Sequence, residues 1–174
     1  MPEVSPQQGT AACRVYTFKE GLLSAVAHDL ELLVGRFSLS WDEPASRVEA
    51  RFEAGSLRVE LPQSLSAADR GQIESTLKEE ILQAHRHPEI QFTGSQVRKE
   101  AGGYRVEGTL QLRGVRQPLG AWIRERDGRL ECEVELDQRQ FGITPYRAAL
   151  GTLRVKPRVR VLVTVTPRAP APPA

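Results

Sequence analysis

The chain has 174 residues, of which 40% are hydrophobic and 26% are charged. These values are typical of one soluble globular domain with a sizeable core. The formal net charge is only +2, and basic and acidic residues are interspersed. This pattern argues against nucleic-acid binding, which usually needs a basic stripe or cluster. No apolar stretch approaches the roughly 20 residues that cross a bilayer, so no transmembrane segment is predicted.

The N-terminal residues include no positively charged leader followed by an apolar run, so we predict no secretory signal and a cytoplasmic location. Cys13 and Cys132 form no spacing motif, and we predict that both are free thiols in a reducing compartment. We interpret residues 1–11 as a loose N-terminal segment, 12–167 as a single domain and 168–174 as a disordered Pro/Ala tail.

The first third of the chain contains several runs in which apolar and polar residues alternate. Such alternation predicts strands, because successive side chains of a strand point to opposite faces. The segment 21–35 mixes helical and strand spacing, so we expect a short helix or irregular turn at about 20–27, followed by a strand. The other runs cover residues 14–18, 37–41, 48–53 and 57–61. Turn residues separate the last three runs, which favours an antiparallel sheet with one buried face.

The segment 64–85 changes to a helical period, with apolar residues at Ile73, Leu77, Ile81 and Ala84. Asp69 and Gln72 resemble a capping box, and Glu74 and Lys78 are spaced to pair on the outer face. We predict one helix that packs over the mouth or edge of a β-structure. A partner-binding role for its apolar stripe is the alternative.

The rest of the chain again predicts strands, separated by Gly102-Gly103, Gly114 and an Asp127-Gly128 hairpin connection. The segment 140–155 is less regular and is predicted to be a loop over an opening. The last strand contains Val159, Val161, Val163 and Val165. In total, about eight strands and one helix predict an all-β fold, a closed antiparallel barrel of a size able to hold a small ligand.

The order of several short motifs resembles the YceI-like family over residues 14–166. The motifs are HRHPEIQF at 85–92, YRVEGTL at 104–110, LRGVRQP at 112–118, FGI at 141–143, LG at 150–151 and the closing strand at 155–165. This family has a lipocalin-like barrel and is often described as polyisoprenoid-binding. The resemblance implies a hydrophobic tunnel that takes a long-chain isoprenoid or a similar amphiphile.

Large apolar side chains on the predicted strands and in the loop are candidates to line this interior. They are Phe37, Leu39, Phe52, Phe92, Leu110, Trp122, Phe141 and Tyr146. An apolar ligand gains about 0.8 kcal/mol for each methylene that leaves water. Alternation alone does not distinguish an open interior from a filled core. Trp122 is out of phase with Leu119, Ala121 and Ile123, so one of these must point outward.

The three histidines do not form a recognised site. His85 and His87 follow the predicted helix, where they can interact with its dipole, so we predict no metal site. His28 with Asp29 could act as a base and its orienting carboxylate. We favour the interpretation in which Asp29 caps nearby backbone amides. Because no Ser-His-Asp elbow or phosphate-binding glycine loop is present, we expect neither an enzyme nor a cofactor.

The sequence therefore predicts a protein that binds or carries an apolar, isoprenoid-like or amphiphilic lipid inside a β-barrel. Two alternatives stay open: a barrel enzyme that acts on a small hydrophobic substrate with His28 as base, and a partner-binding module with a filled core. The oligomeric state also stays open, and a homodimer is one of the states considered.

Overall fold

The computed structural model describes residues 11–20, 29–42, 45–148 and 153–166. Several predictions concern residues outside these ranges. They are most of the loose N-terminal segment, the Pro/Ala tail, the short helix or turn at about 20–27, the histidine at 28 and the LG motif at 150–151. The described residues form a ten-stranded antiparallel sheet, a three-stranded sheet and one α-helix.

Within the described ranges, one α-helix and two short 3-10 turns lie between the strands. The strands are β1 (Ala11–Thr17), β2 (Lys19–Glu20), β3 (Leu30–Val34), β4 (Phe37–Asp42), β5 (Arg47–Glu53), β6 (Leu57–Leu61), β7 (Glu89–Glu100), β8 (Gly103–Leu112), β9 (Val115–Arg126), β10 (Arg129–Asp137), β11 (Arg147–Ala148), β12 (Leu153–Val155) and β13 (Arg158–Val165). The helix α1 (Ala67–Thr76) continues into a π-helical turn, Leu77–Ile81. Short 3-10 turns cover Ala54–Ser56 and Gln138–Phe141.

The large sheet has the strand order β4-β5-β7-β8-β9-β10-β13-β1-β3-β6, and its neighbours pair antiparallel. It forms a half-barrel with β4 and β6 at the two ends of the ladder. The prediction of a mostly β fold with one main helix is confirmed, whereas the closed barrel of about eight strands is not. The small sheet has the order β11-β12-β2.

Each end strand of the ladder directly follows another strand in the chain: β3 leads into β4, and β5 leads into β6. The two connections lie side by side, and we call this place the corner. Strands β3 and β4 are separated only by Gly35 and Arg36, and β5 and β6 only by the 3-10 turn. The Gly35 amide donates to the Ser56 carbonyl at 3.0 Å, and the Glu53 amide donates to the Arg36 carbonyl at 3.0 Å. The buried Ser56 hydroxyl donates to the Glu53 carbonyl at 2.7 Å. The corner therefore satisfies its backbone groups where the regular ladder breaks.

The hairpin turns lie where the glycines predicted them. Gly102, Gly114 and Gly128 have φ angles of +83°, +75° and +73°, a region that glycine adopts without steric cost. Asp127 precedes Gly128 with a φ of +50°, as the tight turns of two-residue hairpins require. These turns connect β7 to β8, β8 to β9 and β9 to β10.

The helix is capped and oriented differently from the prediction. Ser66 is the N-cap, and its hydroxyl accepts from the Asp69 amide at 3.0 Å, so the capping pair starts three residues before the predicted one. Glu74 accepts from the Val59 amide of β6 at 2.8 Å. Glu74 therefore anchors the helix to the sheet, and the predicted outer-face pair with Lys78 is wrong.

The core contains two apolar clusters. One lies beneath the π-helical turn and the Gln138–Phe141 turn, and comprises Ala54, Leu82, Ala84, Leu110, Leu112, Phe141 and Ile143. The other comprises Cys13, Val34 and Phe37. Partly buried Leu57 packs against both clusters. The residues that follow the π-helical turn thus cover one region of the sheet's core face, while α1 contacts the end strand β6.

Candidate functional site: an apolar inner face

Register identifies the residues that face the interior of the half-barrel. Directly opposed residues of antiparallel strands share a face. Val106 is only 1% exposed and therefore marks the core side; we call this side the inner face. One row of opposed inner-face residues crosses five strands and is entirely apolar: Val134, Val161, Val15, Leu32 and Val59. The inner face thus presents a continuous hydrocarbon surface.

Five of the predicted lining residues come together on this face, on β4, β5, β7 and β8: Phe37, Leu39, Phe52, Phe92 and Leu110. The rings of Phe37 and Phe52 stack, with centroids 5.6 Å apart and an interplanar angle of 29°. Phe141 joins them from its 3-10 turn, because it packs in the same cluster as Leu110. Six of the eight predicted side chains thus belong to the core, and they divide equally between its two apolar clusters.

Trp122 lies on the outer face. It is opposite Arg105, whereas its neighbour Ala121 is opposite the buried Val106. The Arg105 guanidinium lies 5.6 Å from the Trp122 ring centroid, a cation–π arrangement. Among residues 119, 121, 122 and 123, Trp122 is thus the one that points outward, and it does not join Phe92 and Leu110.

Tyr146 lies apart from the inner face and is 43% exposed. It borders an open cleft of about 390 Å³ between the π-helical turn and the segment 142–147. Ile81, Arg113 and Pro145 also line this cleft, and Arg113 donates to the Gly142 carbonyl at 3.2 Å. The segment therefore lies near the helix-covered end. The prediction of a loop throughout 140–155 is wrong in part, because strands β11 and β12 fall within it.

Several apolar side chains on the inner face are only half-buried. They are Leu39, Phe52, Ile123, Leu130, Val134, Val161 and Val163. Neighbouring strands cover the backbone of each residue, so the surface left exposed is largely hydrocarbon. Partly exposed apolar surface on a curved face is typical of ligand sites.

The described residues contain no group of three or more His, Cys, Asp or Glu side chains that could hold a metal ion. His85 is exposed, and His87 is half-buried against Gly114, where an added Cβ would lie 3.0 Å from the imidazole. Asp29 accepts from the Lys19 amide at 2.9 Å. The capping interpretation of Asp29 is thereby confirmed.

Sequence reasoning missed a polar group at the end of the inner face away from the helix. The Lys99 ammonium lies 5.7 Å from the Tyr104 ring centroid, and Tyr104 meets Trp41 edge to face at 4.6 Å. A β-bulge between Gly94 and Gln96 shifts the alternation of β7, which brings Lys99 to the inner face. Gly94 itself was the available signal, because isolated glycines within strands often mark bulges.

These features define a class of protein: an antiparallel β half-barrel whose apolar inner face suits an apolar ligand. The profile of the YceI-like domain matches residues 4–166, and the chain belongs to this family. No curated protein matches the sequence. None of the helices in the described ranges is long and apolar enough to span a membrane.

Solved structures with the same fold share little sequence with this chain. BcnA of Burkholderia cenocepacia has a TM-score of 0.58 at 12% identity, covering 88% of this chain and 96% of BcnA. A polyisoprenoid-binding domain from Saccharophagus degradans, implicated in plant cell wall breakdown, has a TM-score of 0.56 at 11% identity, covering 91% and 99%. The YceI protein of Campylobacter jejuni has a TM-score of 0.55 at 13% identity, covering 82% and 88%.

Proposed function

We propose that this protein binds and carries an apolar, isoprenoid-like long-chain amphiphile along its inner face. The observation that carries the proposal is the uninterrupted apolar row across five strands, several of whose side chains are half-buried. The name of the Saccharophagus degradans neighbour, a polyisoprenoid-binding domain, supports the same class of ligand.

We also propose that the interior closes into a barrel at the corner. The Gly35–Ser56 and Glu53–Arg36 backbone hydrogen bonds support this, because they continue the pairing of β3 with β6 into that of β4 with β5. If β3 and β4 are counted as one bent strand, and β5 and β6 as another, the ten strands of the ladder become eight. A closed interior would shield a hydrocarbon chain from water on all sides.

The apolar lining predicts how affinity depends on chain length. Each methylene transferred from water contributes about 0.8 kcal/mol, which is a factor of about four in affinity. Affinity should therefore rise steeply with the number of isoprene units until the chain fills the interior. A surface-adsorbed ligand would show a weaker dependence.

The decisive experiment combines lipid extraction with native mass spectrometry of the purified protein. We expect a co-purifying long-chain lipid in the wild type and its loss in Val161→Gln, which adds an amide to the inner face. Leu162→Gln is the matched control, because Leu162 is also half-buried on β13 but points to the opposite face. An empty wild type, or equal lipid occupancy in two folded variants, would contradict the proposal.

We further propose that the protein is a binding protein rather than an enzyme, and that it resides in the cytoplasm. For the first, His28→Ala should leave lipid occupancy unchanged, and substrate turnover that depends on His28 would favour the enzyme instead. For the second, the two free cysteines are compatible with a reducing compartment, although their separation alone already prevents a disulfide between them. Cell fractionation tests this location, and recovery outside the cytoplasm would contradict it.

A further inference from the structure

We infer that Trp41, Tyr104 and Lys99 form a head-group site that holds an oxyanion, a carboxylate or phosphate, at the end of the bound chain. This inference rests on the proposed function. The three residues belong to β4, β8 and β7, and they lie on the inner face at the end away from the helix. We call them the head-group cluster.

The head-group cluster exists because the sheet is strongly curved. Strands β4 and β8 are three ladder steps apart, which is roughly 14 Å along a flat sheet. The Trp41 and Tyr104 ring centroids are nevertheless only 4.6 Å apart. The row that starts at Trp41 continues through Val48, Gly94 and Gly108. The two glycines let the backbones of β7 and β8 approach closely, and the side chains of Val106 and Phe92 fill the space above them.

The unpaired polar groups of the head-group cluster are mainly donors. Trp41 Nε1 is buried and has no hydrogen-bond partner among the described residues, although an unsatisfied buried donor is destabilising. An indole nitrogen only donates, and a lysine ammonium offers three donors and no acceptor. A ligand atom that satisfies both must be an acceptor, and an oxyanion provides several.

The Lys99 charge is available to such a ligand. Within the ranges that the structure describes, Lys99 forms no ion pair, and its observed partner is the Tyr104 ring. Its neighbours are engaged elsewhere: Arg98 donates to Gln96 at 3.4 Å, and Glu100 pairs with Arg105 at 3.2 Å. On β9, Tyr104 is opposite Ile123, and Glu125 lies two residues further along the same face. Glu125 carries the nearest inner-face carboxylate by register.

The surroundings of the head-group cluster indicate an amphiphile rather than a free anion. Tyr104 is opposite Ile123, which is opposite Cys132 and then Val163 in the same row. The apolar side chains therefore begin directly beside Tyr104, whose ring contacts the Lys99 ammonium. A single charged group at the edge of an apolar site fixes orientation, so the chain would extend from here toward the helix-covered end.

Two probes with the same chain and different head groups test the inference: geranylgeranyl diphosphate and geranylgeraniol. Binding is measured by isothermal titration calorimetry for the wild type, Lys99→Gln and Arg98→Gln. Arg98 is the matched control, since it neighbours Lys99 on β7 but points to the opposite face. We expect the wild type to bind the diphosphate roughly 10-fold or more tightly than the alcohol, from charge-assisted hydrogen bonds. Lys99→Gln should remove most of this preference, and Arg98→Gln should keep it.

The outcomes separate this inference from the proposed function. If both probes bind equally and Lys99→Gln changes neither, the head-group site is overturned while chain binding stands. If neither probe binds, the isoprenoid-binding proposal and the head-group site are both overturned. Trp41→Phe keeps the apolar ring and removes only the N–H donor, so it should weaken the diphosphate more than the alcohol. If Trp41→Phe weakened the binding of both probes equally, Trp41 would not belong to the head-group site.

Discussion

Cys13 and Cys132 both pair with Val163, one from each side of β13, so their side chains lie on the same inner face two strands apart. Two strand spacings amount to roughly 9–10 Å, beyond the roughly 4.4–6.8 Å between Cα atoms that a disulfide allows. Both thiols are free in the structure, as predicted. Burial raises the pKa of Cys13 to about 12 and that of Cys132 to about 11, and Cys132 adds to the shift of Cys13.

These thiols should report on occupancy of the inner face. Because the thiolate is the reactive form, both should react slowly with N-ethylmaleimide at pH 8, and the half-buried Cys132 should react before the buried Cys13. Bound long-chain lipid should slow the labelling of Cys132 further. Peptide mass spectrometry of native and delipidated protein measures this, with urea-unfolded protein as the control. Equal rates with and without lipid would place the ligand away from Val163.

Alkaline pH should destabilise the fold through the same thiols. Their folded pKa values lie above the unfolded value of 9.0, so their contribution is complete below about pH 9 and is lost as the pH rises toward 11–12. Urea unfolding under reducing conditions should show a smaller loss of stability from pH 8 to pH 11 in Cys132→Ala than in the wild type. An identical loss in both proteins would assign the effect to other groups.

Acid should weaken the turn before Phe141. The side-chain hydrogen bond from Arg139 lowers the pKa of Asp137 to about 2, and Asp137 also accepts from the Arg139 amide at 3.0 Å. This stabilisation is present above the unfolded pKa of 3.8 and is lost as the pH falls toward 2. Asp137→Asn keeps a capping side chain but removes the charge, so it should reduce stability at pH 7 and have little effect near pH 2. A pH-independent effect would contradict this.

The two inner-face glycines opposite one another should not tolerate a side chain. A Cβ on Gly108 would lie 2.3 Å from the Thr93 carbonyl oxygen, and one on Gly94 would lie 2.6 Å from a Val106 methyl group. We expect Gly108→Ala to destabilise the protein by about 1–3 kcal/mol through overpacking.

Gly71 is the matched control for that substitution. It lies in α1, and a Cβ there would meet no atom within 4 Å. Gly71→Ala should therefore stabilise the protein by about 0.5–1 kcal/mol, because alanine is the better helix former. Thermal or urea unfolding of both variants tests the contrast, and a neutral Gly108→Ala would mean that the sheet relaxes there.

Much of the local structure could be predicted because it depends on neighbouring residues. Alternation placed most strands of the large sheet, and glycines at 102, 114 and 128 marked the hairpins. Both signals depend on backbone sterics and on burial of one face. The order of the motifs also indicated the family, and five of the predicted lining side chains lie on one face of the sheet.

The sequence by itself thus determined the strands, the turns, the single helix and the apolar character of one face, since these follow from the period of hydrophobic residues. Tertiary structure decided which face each strand presents and what meets across the interior. The bulge after Gly94 turns Lys99 inward, register turns Trp122 outward, and curvature brings Trp41 to Tyr104. A shift of one residue reverses every side chain of a strand, and only pairing with distant strands sets that register.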